Sequence, residues 1–167
     1  YSINQGTLIN SNYDINYVGA DLNITTKELT VINAVVEGKV YDGTTDAVIT
    51  GAQLNGIVGT DNVLLEDDET GTYAQSAVGS GITVTTDMTI SGAGISNYSL
   101  IQPTLSGDIT KKEMTITADN KTKIYGENDP DFTVSYDGFV SGEDKTDLDG
   151  TLQFDRETGE AQGSYII

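Results

Sequence analysis

The octapeptide Ile24-Thr25-Thr26-Lys27-Glu28-Leu29-Thr30-Val31 returns, little altered, as Ile109-Thr110-Lys111-Lys112-Glu113-Met114-Thr115-Ile116, an offset of 109 − 24 = 85 positions. The same offset carries Asn12-Tyr13 onto Asn97-Tyr98, and one of 123 − 39 = 84 carries Lys39-Val40-Tyr41 onto Lys123-Ile124-Tyr125. A period of this size within 167 residues predicts two small beads rather than one merged core, with function lying in the array. A bead of that length buries only about 60 to 65% of its unfolded surface, so its stability is modest. Disulfides cannot make up the difference, because the chain has no cysteine.

The apolar runs are short, rich in Val, Ile, Thr and Tyr, and bounded by Gly, Asn or Asp, which predicts many short strands. The clearest alternation follows Gly81, where Ile82, Val84, Met88 and Ile90 share a parity and are expected to face a core. Further strands are expected at 29–36, 114–118, 132–136, 152–154 and 165–167, and a single helical turn at 143–148. Asp42-Gly43, Asp137-Gly138 and Asp149-Gly150 read as turns. The fold class is therefore all-β or nearly so, as small β-sandwich or β-grasp-like beads; periodicity does not choose between the two.

Twenty-six acidic residues against eight basic ones give a formal charge of −18. Such a surface repels a phosphate backbone or an anionic lipid, so nucleic acid is not an expected partner. No run approaches the ~18 apolar residues of a membrane span, so membrane insertion is not expected. Without histidine or cysteine the chain has no Ser-His or Cys-His pair and no usual transition-metal ligand set, and no carboxylate pair has a hydrolase motif. It reads as a non-enzyme.

The acidity serves solubility and mutual repulsion, and its oxygen-rich side chains also suit Ca²⁺. Two clusters are candidates. Glu66-Asp67-Asp68-Glu69 lacks the glycine and alternating ligands of a calcium loop and reads as a solvated turn. Asp119, Asn120, Glu127, Asp129 and Asp131 lie just past the boundary between the beads, where a cation would stiffen a joint. Tyr41, Tyr73, Tyr98, Tyr125 and Tyr165 occupy repeated motif positions, which favours packing over sugar stacking. Lys39 and Lys123 are the candidate donors for an intramolecular isopeptide bond, with no partner singled out.

The beads are cousins rather than copies. Lys39-Val40-Tyr41-Asp42-Gly43-Thr44-Thr45 with the downstream Asn97-Tyr98 resembles the YDG domain of large bacterial haemagglutinin-like surface proteins, over residues 28–112. Lys123-Ile124-Tyr125-Gly126-Glu127-Asn128-Asp129-Pro130-Asp131-Phe132, followed by Gly138-Phe139-Val140-Ser141-Gly142-Glu143-Asp144, resembles the accompanying MBG domain, opening at 113 and continuing to 167. Residues 1–27 are similar to the closing strands of such an MBG repeat, and Tyr165-Ile166-Ile167 restarts the pattern of Tyr1-Ser2-Ile3, a period of 165 − 1 = 164.

The resemblance implies a structural repeat of a long adhesin or surface filament on the bacterial exterior, acting as stalk or spacer, with no catalytic residues. The alternative from a different class is a multivalent glycan- or mucin-binding module. Partners expected of the first are neighbouring repeats or identical chains joined head to tail. Thr26-Lys27-Glu28 and Lys111-Lys112-Glu113 are expected as the linkers, and residues 1–27 as the completion of a bead in the next chain.

Overall fold

The computed structural model describes residue 4 and residues 6–167. Tyr1-Ser2-Ile3, whose pattern Tyr165-Ile166-Ile167 is expected to restart, lies outside them. The described chain is nearly all β. Its strands are β1 (Lys27–Ile32), β2 (Val35–Val36), β3 (Lys39–Val40), β4 (Asp46–Thr50), β5 (Gln53–Asn55), β6 (Leu64–Glu66), β7 (Thr70–Tyr73), β8 (Gly79–Thr85), β9 (Thr89–Ser91), β10 (Tyr98–Ile101), β11 (Leu105–Thr110), β12 (Thr115–Ala118) and β13 (Val134–Asp137). Among the described residues helical structure is confined to the 3₁₀ turns Ile95–Asn97 and Lys145–Asp147. The second is the expected single turn, closed by a reciprocal capping box between Asp144 and Asp147.

In the first bead a six-stranded sheet runs β2-β4-β7-β8-β11-β3, antiparallel except for the β11–β3 pair, and a three-stranded sheet runs β10-β1-β5. β6 and β9 form a separate antiparallel pair. Alternation along each strand sends one parity inward, and two cores result. Ala47, Tyr73, Ile82, Val84 and Ile109 make up one, on the six-stranded sheet. Leu29 and Tyr98 of the three-stranded sheet, with Val63 from the loop before β6, make up the other. The parity expected after Gly81 is kept: Ile82, Val84 and Met88 are buried and Ile90 is half-buried. Hydrogen bonding does not run through, because β8 stops at Thr85 and β9 pairs with a different sheet. The Gln102 side chain bridges that break, accepting from the Thr86 hydroxyl and donating to the Met88 carbonyl.

The second bead repeats the opening of the first in register. β1 pairs with β5 as Thr30↔Asn55, Val31↔Leu54 and Ile32↔Gln53. β12 pairs with β13 as Thr115↔Asp137, Ile116↔Tyr136 and Thr117↔Ser135, an offset of 85 on one strand (115 − 30) and 82 on the other (137 − 55). The turn that follows is also repeated. Asp61 N–H donates to the Val58 carbonyl at 3.1 Å, and Glu143 N–H donates to the Val140 carbonyl at 3.2 Å. Gly56 and Gly138, just before these turns, have φ of 105° and 111° and lie against the Glu28 and Glu113 carbonyls, so a side chain at either meets backbone.

The beads differ in burial. The ten buried hydrophobic residues among those described lie from Leu29 to Ile109, and no described residue from 113 to 167 is buried. Leu29 is fully covered, held between β5 and the parallel strand β10. Met114, its counterpart, is half-exposed, and β12 is hydrogen-bonded in the described structure to β13 alone.

Three expectations are corrected here. Residues 152–154 and 165–167 form no strand, because alternation over three residues makes a ladder only where a neighbouring strand supplies the other half of the hydrogen bonds. Lys27 and Glu28 are not a linker; they open β1 and pair with Tyr98 and Ser99.

Candidate functional site

Two features outside the cores bring repeated motif residues together: a joint between the beads and a groove on the second. At the joint, the parallel β3–β11 pair continues as Tyr41 N–H donating to the Thr110 carbonyl, which holds Tyr41 at the point where the chain leaves the first bead. Its hydroxyl donates a short hydrogen bond to the Glu143 carboxylate, on the repeated turn of the second bead. That bond, together with partial burial and the negative charges of Glu143, Asp147 and Asp42, holds the phenol protonated above its usual 10.0. Gly43 lies against Val140, with 3.4 Å between the valine methyl and the position of a Cβ at residue 43.

Asp42 shapes the approach. Its carboxylate accepts from Lys39 Nζ, Thr44 N–H and the Thr44 hydroxyl, each at 2.9 Å. The lysine hydrogen bond leads in drawing the Asp42 pKa down to about 2. Lys39 in turn lies 5.7 Å from the Tyr73 ring centroid.

Glu143 also shows what the repeat has exchanged. In the first bead the corresponding carboxylate, Asp61, accepts from the Tyr98 hydroxyl at 2.7 Å, and that hydroxyl accepts from Val58 N–H at 2.9 Å. In the second bead the same turn receives a tyrosine from the bead before it.

The groove has a volume of about 370 Å³ and is lined by Lys121, Lys123, Tyr125, Phe132, Arg156 and Tyr165 among others. Along its wall Lys123 and Arg156 alternate with two carboxylates. Asp129 takes Lys123 and Arg156 at 2.7 Å each, and Glu160 takes Lys123 at 2.7 Å and Arg156 at 2.5 Å. Arg156 leads in drawing the Asp129 pKa down to about 2, and the same four-membered ring raises Lys123 and lowers Glu160.

The five residues considered for calcium are not drawn together. Both Asp129 oxygens face cationic side chains, Asp119 accepts from the Thr133 hydroxyl at 2.6 Å, and Glu127 closes a turn with its N–H on the Ile124 carbonyl. Asn120 and Asp131 stand nearby in the chain, and among the described residues no group of three acidic, histidine or cysteine side chains has the geometry of a metal site. In the other acidic cluster, Glu66 accepts from Ser91 and Asp67 from Thr89, across the β6–β9 pair. Lys39 and Lys123, considered for isopeptide chemistry, are held in ion pairs.

The five motif tyrosines divide. Tyr73 and Tyr98 are buried, Tyr41 and Tyr165 are half-buried, and Tyr125 is 77% exposed. Sequence reasoning missed Glu143 and Arg156 as organising residues. The signal for Glu143 lay in the repeated Gly-x-Val turn; Arg156 has no counterpart in the first bead.

Residues 25–106 match the YDG domain and residues 114–167 match the MBG domain of the YGX type. Their name-giving motifs are Tyr41-Asp42-Gly43 and Tyr125-Gly126-Glu127. Comparison with curated proteins and with solved structures found no match. Both domains are found in bacterial surface proteins, and no helix among the described residues is long and apolar enough to cross a membrane. The chain carries a YDG domain followed by an MBG domain.

Proposed function

We propose that this chain is a structural repeat module of a long extracellular bacterial adhesin or surface filament, serving as stalk or spacer. The observation that carries the reading is the joint. The Tyr41 of the YDG motif hydrogen-bonds Glu143 of the following domain, and Gly43 lies close to Val140, so the motif that names one domain reaches the next and supports a preferred angle between them. A spacer needs this. Without contacts between beads, a chain of small domains behaves as a flexible tether, and its reach grows only with the square root of its length. The net charge of −18 adds repulsion between neighbouring molecules and between successive periods, which favours extension.

Small-angle X-ray scattering of the full chain and of Tyr41→Phe tests it. The intact chain is expected to give one well-defined distance distribution, and the variant a broader one with a shorter mean. Identical distributions would refute the joint as the determinant of shape.

A second reading, a multivalent glycan-binding module, is favoured by one feature: Tyr125 stands 77% exposed at the rim of a groove that also holds Arg156 and Tyr165. A glycan array probed with one and with several copies separates the readings, because signal rising steeply with copy number is expected only of a binder.

A further inference from the structure

Two stretches of the first bead, residues 27–40 and 98–110, run side by side in the same direction. β1 pairs with β10 in parallel from Lys27↔Tyr98 to Thr30↔Ile101, an offset of 98 − 27 = 71. β3 pairs with β11 in parallel as Lys39↔Ile109 and Val40↔Thr110, an offset of 109 − 39 = 70. Between the two ladders the stretches stay together. A Cβ at Gly107 would lie 2.6 Å from a Val36 methyl, and one at Gly38 would lie 3.5 Å from the Asp108 carbonyl, again at offsets of 107 − 36 = 71 and 108 − 38 = 70. Beyond the second ladder, Tyr41 N–H donates to the Thr110 carbonyl and the Thr110 hydroxyl to the Lys39 carbonyl.

The chain continues on both sides of this bead, so tension along it enters at Lys27 and leaves at Thr110. Lys27 opens one stretch and Thr110 closes the other. Pulling them apart therefore drives the stretches past each other along their common direction. The four pairs of the first ladder and the two of the second are loaded together, in shear, and the even spacing of bonds between parallel strands shares the load among them. Force applied at one end of the same ladder would instead open it one bond at a time.

Side chains oppose the slide. Leu29 on one stretch and Tyr98 on the other belong to one core and Ile109 to the second, and they are 0%, 7% and 1% exposed. Movement by one residue turns alternate side chains to the wrong face, so no neighbouring register receives them. Tyr73 acts at mid-length: from β7 it reaches between the stretches, its hydroxyl donating to the Glu37 carbonyl at 3.1 Å and passing against Gly107.

We propose that the YDG bead is a shear clamp, which resists tension along the chain more strongly than tension across the β1–β10 ladder and so carries load between the units on either side. Forced unfolding is governed by the unfolding rate and not by equilibrium stability, so a small bead without cysteine can hold force through the direction in which its strands are loaded. The load passes on through the joint, because Tyr41, which bonds Glu143, is the residue that follows the second ladder. That the bead meets such load in its own setting rests on the stalk reading; the directional strength rests on topology alone.

Optical tweezers test it on full-length chains carrying two cysteines as handle sites, all at exposed positions in a protein that has none of its own. Lys27→Cys with Lys111→Cys pulls along the chain. Lys27→Cys with Asn97→Cys pulls from the same end of the β1–β10 ladder, where Lys27 faces Tyr98. At one loading rate the first pair is expected to unfold at no less than twice the force of the second. Its released length, at most about 290 Å for 111 − 27 = 84 residues, identifies the bead. Ser96→Cys in place of Asn97→Cys is expected to give the same low force. A ratio below two overturns the clamp and leaves the stalk reading standing, since scattering from Tyr41→Phe reports shape and not strength.

Discussion

Tyr73 and Gly107 are fitted to each other: the Tyr73 hydroxyl donates to the Glu37 carbonyl at 3.1 Å, and it passes so close to Gly107 that a Cβ there would lie 2.5 Å from it. The restriction is spatial, since Gly107 is not among the residues with positive φ. Gly107→Ala is therefore expected to destabilise the first bead by about 1–3 kcal/mol through overpacking. Urea unfolding of the full chain measures it, and an unchanged midpoint would show that Tyr73 moves aside freely.

Leu29 and Met114 stand at the same point of the repeat with different surroundings, so truncation separates them. Leu29→Ala removes a fully buried side chain and is expected to cost about 2–5 kcal/mol. Met114→Ala, at a half-exposed site, is expected to cost under about 1 kcal/mol. Thermal melts of the two variants at low micromolar concentration make the comparison.

The ring of Lys123, Asp129, Arg156 and Glu160 sets an acid limit on the second bead. Asp129 has a folded-state pKa of about 2 against an ordinary 3.8, so its contribution to stability is complete above about pH 4 and is lost as pH falls through 2. Glu160, also depressed, adds to the slope in the same direction. Asp129→Asn is expected to flatten the stability profile between pH 4 and 2, read by circular dichroism during acid titration.

Alkali is expected to act on the joint. Tyr41 is held protonated above its usual 10.0, so the unfolded or opened chain loses this proton first and the joint weakens as pH rises past 10. Ultraviolet absorbance titration of the wild type should show late-ionising tyrosines, and Tyr41→Phe should remove one of them while leaving Tyr98, which is raised by its bond to Asp61.

Calcium removal is expected to leave the thermal midpoint unchanged within about 1 °C, because the Asp129 oxygens already face Lys123 and Arg156. Scanning calorimetry with and without EDTA checks it. A drop of several degrees would mean that the ion pairs give way to a cation.

Much of the first bead was legible from local pattern. Alternation after Gly81 picks out Ile82, Val84 and Met88, and the Asp-Gly pairs locate turns at Gly43, Gly138 and Gly150, all of positive φ. Alternation is a property of single strands, however, and it carries no information about partners. It therefore could not show that β8 and β9 belong to different sheets, or that 152–154 has no neighbour to pair with. The joint was hidden for a related reason. Tyr41 and Glu143 lie 102 positions apart, and each is unremarkable in its own segment. Only the repeat links them, since Glu143 occupies the turn position of Asp61, which already has a tyrosine.

The shared register of β1–β5 and β12–β13 has a practical consequence. Twenty residues connect the paired Ile32 and Gln53, and seventeen connect the paired Thr117 and Ser135 (53 − 32 − 1 and 135 − 117 − 1), yet both ladders align in the same way. Closing the longer connection costs only about 0.1 kcal/mol more, and a further dozen residues would add about 0.4 kcal/mol. Closure entropy thus does not fix the length of this connection, while a one-residue slip in either ladder would turn every side chain to the wrong face. The connection itself is occupied, by β2, β3 and β4 in the first bead and by Lys123 and Asp129 in the second, so the two beads share a frame of two paired strands on which different contents are hung.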